Sequence, residues 1–205
     1  MDLLNYLNQH FYTKTQLLEK SKISSVDFNQ YQQKSMMPAA SYLLNIKCDS
    51  FFGEHTQASE FYPKAYLSWL ADLTTTPNAQ TAFEVFSARY KTQLQKLNGF
   101  GLFSVDDKFN KNLSNHIKQE WQHFLKGTYG ICTQSGLVAD IATKELTTSI
   151  VNELILNKEL SSKKRENLEI SINLLDSVTS LFAPHERQNS SRVKLIEYVK
   201  NSYFL

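Results

Sequence analysis

From Thr76 to the C-terminal region, apolar residues recur every three or four positions, and this period dictates what the chain can fold into. Phe83, Phe86, Tyr90, Leu94 and Leu97 fall on one helical face, after a Thr76-Pro77 start and before an Asn98-Gly99 stop. Phe109, Leu113, Ile117, Trp121 and Phe124 form a second stripe. Ser104 and the acids Asp106 and Asp107 offer it a start suited to the positive end of a helix dipole, and Gly127 closes it. A third helix is expected from about Val138 to Asn157, with Ile141, Ile150, Val151 and Leu154 inward. A fourth carries Leu168, Leu175, Val178 and Phe182 and ends at Pro184, and a last one starts near Ser190. Pro63 opens a shorter helix holding Tyr66, Trp69 and Leu70.

Upstream, residues 1–47 read as short helices. Thr13 caps a run containing Leu17 and Leu18, Lys22-Ile23-Ser24 makes a turn, and Ser25 caps a run carrying Phe28 and Tyr31. From Asn45 to Phe61 the pattern is irregular and reads as a long loop or domain junction. No period-two alternation persists anywhere, so a sheet is not expected to be central. The expected fold is all-α: a helix-turn-helix-like module over residues 1–47 and a larger helical bundle over 48–205. With six glycines and four prolines in 205 residues, the chain suits long helices better than a many-turned sandwich.

Charge and cysteine content exclude several classes. A net charge of +2 gives no argument for a polyanion partner. Cys48 and Cys132 cannot build a disulfide framework, and no cationic start followed by an apolar run marks a signal peptide. No apolar run reaches the ~18 residues of a membrane span. Reduced thiols, a cytoplasmic location and no membrane partner are therefore expected. Gly99-Phe100-Gly101 lacks the third glycine and the preceding strand of a dinucleotide loop. The sequence names no cofactor.

Three features carry chemistry. The stretch from Phe11-Tyr12-Thr13 to Met36-Met37-Pro38 resembles the start of a MerR-type helix-turn-helix, which implies DNA reading by its second helix. That helix offers Asn29, Gln30, Gln32 and Gln33, side chains able to contact adenine. Residues 1–48 hold five lysines against three acids and no arginine, too few cations to neutralise several phosphates, so nucleic acid is not the expected partner. A structural unit, or one that holds a peptide or protein, is favoured.

Next, His116, Glu120 and His123 fall within about 60° of one another around a helix. Imidazole and carboxylate on one face suit a first-row metal, and Glu-x-x-His occurs in carboxylate-bridged di-iron bundles. Only one such motif is present, so Glu145 or Glu153 of the following helix would have to contribute. The bland alternative is a half-exposed helix edge where Glu120 pairs with the histidines.

Finally, the string Ala183-Pro184-His185-Glu186-Arg187-Gln188-Asn189-Ser190-Ser191-Arg192 lies between two apolar helices. His185 and Glu186 are candidates for acid–base catalysis. Arg187 and Arg192 could clamp a carboxylate or phosphate, with Ser190 and Ser191 adding donors at a helix start. Tyr129, in the loop 128–136, joins these ligand-binding candidates. Against this stands a hydrogen-bonded turn in which Ser190 caps and the arginines pair with nearby acids. Cys132 reads as an inert thiol, having no visible neighbour to lower its pKa.

The phrases Met37-Pro38-Ala39-Ala40-Ser41-Tyr42, Phe61-Tyr62-Pro63-Lys64, Phe124 to Cys132, and Phe182 to Arg187 with Ser190-Ser191-Arg192 together resemble an uncharacterised bacterial family. It is catalogued as a domain of unknown function with a natural-product-biosynthesis label. The resemblance implies a setting, a small-molecule or modified-peptide pathway, and no catalytic residue. The expected function is a binding or accessory protein presenting a peptide or small-molecule substrate to partner enzymes. A tailoring enzyme of the same pathway, metal-dependent or acid–base, is the alternative, and a DNA-binding regulator the third.

Overall fold

The computed structural model describes residues 2–156 and 159–203. Its first helix, α1 (Leu3–His10), starts where the Asp2 carboxylate accepts the Asn5 N–H at 2.8 Å. A short strand β1 (Phe11–Thr13) leads to α2 (Lys14–Ser21), opened by a reciprocal capping box between Thr13 and Gln16. Lys22 takes a left-handed conformation (φ 57°) and turns the chain into α3 (Ser25–Gln33), capped by Ser24 rather than Ser25.

The all-α expectation is overturned next. The stretch read as a loop forms two strands, β2 (Tyr42–Ser50) and β3 (Gly53–Pro63), and with β1 they make a three-stranded antiparallel sheet in the order β1-β3-β2. The fold is mixed α and β. The physical reason for the misreading is that the outer part of this hairpin is wet on both faces. Residues 45–50 of β2 and 53–58 of β3 are exposed, so no alternation of apolar and polar residues was selected there. Only the base is buried, where Phe61, Tyr62 and Pro63 pair with Thr13, Tyr12 and Phe11.

The body follows the helical periodicity more closely. It comprises α4 (Tyr66–Leu73), α5 (Ala79–Gly99), α6 (Leu113–Leu125), α7 (Thr128–Cys132), α8 (Val138–Ile155), α9 (Ser162–Val178) and α10 (Tyr198–Tyr203). Several bounds differ from expectation. Pro63 ends β3 and α4 begins at Tyr66, and Asn78 rather than Thr76 caps α5. Helix α7 forms within the expected loop 128–136, and α9 stops at Val178, short of Phe182 and Pro184. Asp106 caps only a single 3-10 turn at Asp107–Phe109, and α6 begins later, at Leu113. The helix expected from Ser190 is a 3-10 turn at Arg187–Asn189 followed by a π-helical turn at Arg192–Glu197. Asn157, the expected end of α8, lies outside the described residues.

An aromatic cluster holds the body together: Trp69 of α4, Phe86 of α5, and Trp121 and Phe124 of α6 lie with ring centroids 5.1–6.0 Å apart. Burying each such ring stabilises the fold by roughly 1.5–3 kcal/mol. The same core continues through Tyr62, Met36 and Phe28 to Leu17, so α2 and α3 pack into it. A second cluster joins Val151 of α8 to Leu168, Ile172 and Leu175 of α9 and to Ile196 and Val199.

The phrases that carried the family resemblance meet in space. The Ala39 N–H donates to Leu125 O (2.8 Å) and the Ser41 hydroxyl to Gly127 O (3.0 Å). Gly127 is left-handed (φ 76°), and a Cβ there would lie 2.6 Å from Ala39 O. A Cβ on Gly130 would sit 2.0 Å from Ser41 Oγ and 2.6 Å from Pro63 Cγ. Only glycine lets the start of α7 approach the chain this closely, so these words encode a junction between the sheet region and the helical body.

Candidate metal centre

Helix α6 presents His116 and Glu120 one turn apart on its buried side. Helix α8, packed against α5, contributes Glu145, and one ligand atom from each of the three lies within 4.8 Å of the others. His116 Nδ1 is 3.4 Å from Glu120 Oε1, while its Nε2 is 3.0 Å from the hydroxyl of Tyr90 on α5. This is the arrangement a metal-bound histidine needs: one nitrogen aimed at the ligand position, the other fixed by a hydrogen bond that sets ring orientation. Phe109 closes the far side of the imidazole, edge-on at 5.2 Å.

The Glu120 carboxyl is buried and only partly satisfied. Glu120 is 6% exposed, and its Oε2 has no hydrogen-bond partner. A buried carboxylate oxygen without a donor is costly. Burial, and then the neighbouring Glu145 carboxylate, push the Glu120 pKa up to about 8 against a smaller opposing effect of Lys108. Burial lowers the His116 pKa, keeping the imidazole neutral as a ligand requires. Lys108 lies 3.3 Å from Glu145 Oε2 and balances that charge from the solvent side. A divalent ion accepted by His116, Glu120 and Glu145 would meet two negative charges and one neutral nitrogen, releasing the Glu120 proton and freeing Lys108.

His123 is not brought to this site. It shares the helix face, but seven residues carry it about 10 Å along the axis from His116. It is exposed, with its ring set edge-on to Tyr129 at 6.4 Å. Tyr129 itself is buried in α7. Glu153 turns elsewhere, accepting from the Ser104 hydroxyl and the Val105 N–H.

The polar string near the C-terminus is folded on itself. Arg192 donates through Nε to Ser180 O, through Nη2 to Asp176 O and Thr179 O, and through Nη1 to the Asp176 carboxylate. The Nε of Arg187 donates to Phe182 O at 3.2 Å, and the Ser190 hydroxyl donates to Arg187 O at 2.6 Å. Glu186 accepts from the Tyr42 hydroxyl (2.7 Å) and the Ala183 N–H, which ties β2 to this turn. His185 is exposed, 3.9 Å from Glu186. Lys144 donates to Cys132 O and to Ser191 Oγ, and burial lowers its pKa. The same burial raises the pKa of the Cys132 thiol despite the nearby ammonium. Consecutive residues of α8 thus face apart: Lys144 toward the turn, Glu145 toward His116. The helix separates the two polar clusters.

Sequence reasoning passed over Tyr90, which counted only as part of an apolar stripe, and Lys108 and Lys144. A signal existed for Lys144, a cation set among the inward positions of α8 between Ile141 and Ile150. In the helix-turn-helix-like segment, Gln32 donates to Pro38 O and the Tyr62 hydroxyl, and Asn29 accepts from Lys14, so two of the four side chains able to contact adenine are held within the fold. Among the described residues, no helix is long and apolar enough to cross a membrane.

Compared with known proteins, the chain matches no curated protein and no solved structure. Residues 82–204, which include His116, Glu120, Glu145 and the polar turn, match a family of unknown function, DUF6058. With more than half of its length matched, the chain belongs to the DUF6058 family.

Proposed function

We propose that this protein binds a divalent first-row transition metal through His116, Glu120 and Glu145, and serves as a metal-dependent tailoring enzyme in bacterial natural-product biosynthesis. The observation that carries the metal reading is the orphaned Glu120 Oε2, buried beside a second carboxylate and a neutral imidazole. Mixed nitrogen and oxygen ligands suit iron(II), manganese(II) or zinc(II). The biosynthetic setting rests on the resemblance of the four sequence phrases alone. Bound there, the metal would supply Lewis acidity. The chain's own part is to hold the imidazole through Tyr90, to keep a proton on Glu120 until the ion arrives, and to screen Glu145 with Lys108.

The test is thermal unfolding after chelation, then with each metal added singly. A ligand held only by the folded state stabilises it by about 2.7 kcal/mol at a hundredfold excess over Kd. Metal-selective stabilisation that disappears in Glu120→Gln/Glu145→Gln supports the site. An unchanged melting temperature with every metal removes it.

A second reading, an accessory protein presenting a peptide or small molecule to partner enzymes, is favoured by one observation. A cavity of about 380 Å³ lies between α5 and α8, lined by Trp69, Ala88, Gln93, Leu137 and Val138. Its size and apolar lining suit a small ligand. Ligand binding that is unaffected by Gln93→Leu and by Ala88→Trp would count against it.

A further inference from the structure

The hairpin β2–β3 is an unusual object for a chain of this size. Beyond its base it has nothing packed on either face, and its tip, Phe51 and Phe52, is 96% and 95% exposed, the two rings stacked edge-on at 5.3 Å. Among the described residues, β1 pairs with β3 only at Phe61–Pro63 and no strand pairs with the outer side of β2, so both edges of the arm present unused backbone donors and acceptors. A two-stranded ribbon with no buried face is marginally stable in water, and such an edge is a template for another strand.

The two edges differ in charge. From Gly53 to Ser59, β3 carries Glu54 and no lysine or arginine. β2 carries Lys47 and Asp49 on one face, where Lys47 lies 3.5 Å from Asp49 and 2.9 Å from Glu54. We propose that β2 pairs antiparallel with β2 of a second copy of this chain, about a two-fold axis at Cys48, joining two arms into one continuous sheet.

The register follows from charge. A two-fold axis perpendicular to a sheet pairs residues on the same face, so the axis lies midway between one residue and its own copy. Centred on Lys47, it sets lysine against lysine; centred on Asp49, acid against acid. Like charges directly opposite are unfavourable. Centred on Cys48, it sets Lys47 against Asp49 of the second copy, twice. The same register sets Ile46 against Ser50 of the second copy. It also sets the two exposed Cys48 side chains opposite each other, within the span a disulfide bridges.

Sedimentation equilibrium of the full chain over the micromolar range tests this, in a Cys132→Ser background that leaves Cys48 as the sole thiol. The expected result is a dimer that becomes covalent on mild oxidation. Lys47→Asp should raise its dissociation constant about tenfold, and adding Asp49→Lys should restore it. Circular dichroism confirms that each variant is folded. A monomer throughout overturns the proposal, as does a dimer indifferent to Lys47→Asp or one that fails to cross-link. A monomer that sediments with phosphatidylcholine vesicles through Phe51 and Phe52 also overturns it, and assigns the tip to a lipid surface.

Discussion

Two regions of this protein use the same kinds of side chain, and only one of them is left chemically unfinished. At the α5–α6–α8 junction a histidine and two carboxylates converge, and one buried oxygen has no donor. In the turn over residues 183–192, histidine, glutamate and two arginines lie close together, yet the arginines donate into carbonyls and Asp176, and Glu186 accepts two hydrogen bonds. The difference teaches that residue type does not separate a site from a staple. What separates them is whether the surrounding structure already satisfies the polar atoms.

If the turn is a staple, breaking it should cost the most. Arg192→Ala strips four hydrogen bonds from a mostly buried guanidinium, and a loss of about 3 kcal/mol in urea unfolding is expected. Arg192→Lys should recover little, because a point ammonium cannot reach three carbonyls and a carboxylate together. A loss under about 0.5 kcal/mol, the range of ordinary surface changes, would erase the contrast between the regions.

The junction is sharpened by pH. Glu120 holds its proton up to about 8 in the folded state, against 4.5 when free. A raised folded pKa contributes stability that is fully present below about 4.5 and is lost as pH rises through about 8. Glu120→Gln, permanently neutral, should therefore remove most of the pH slope of stability across that window. An unchanged profile would mean that Glu120 is already ionised at neutral pH.

The smallest effect belongs to His185. It is exposed and 3.9 Å from its acid, so His185→Ala should change stability by less than about 0.5 kcal/mol. A larger change would show that the turn depends on that imidazole.

How far the sequence disclosed these regions follows from what each depends on. The α5 stripe of Phe86, Tyr90, Leu94 and Leu97 was readable because burial on one side imposes the helical period. The β2–β3 arm was not, because no side of its outer half is buried and nothing selects an alternation. His116 and Glu120 were legible as neighbours one turn apart. His123 was grouped with them on angle alone, although rise along the axis separates it. Glu145 could be named only as a candidate, since its placement depends on how α6 and α8 are each set against α5. The role of Arg192 depends on where the end of α9 leaves its carbonyls, which no spacing within residues 183–192 contains.

Calorimetric titration of zinc(II) or manganese(II) into chelator-stripped protein at pH 7, repeated in buffers of different ionisation enthalpy, tests the central claim most directly. The expected result is one ion per chain with release of close to one proton, the proton held by Glu120, and loss of that release in Glu120→Gln. Binding without proton release, or binding that persists in Glu120→Gln/Glu145→Gln, would place the ion elsewhere and contradict the account.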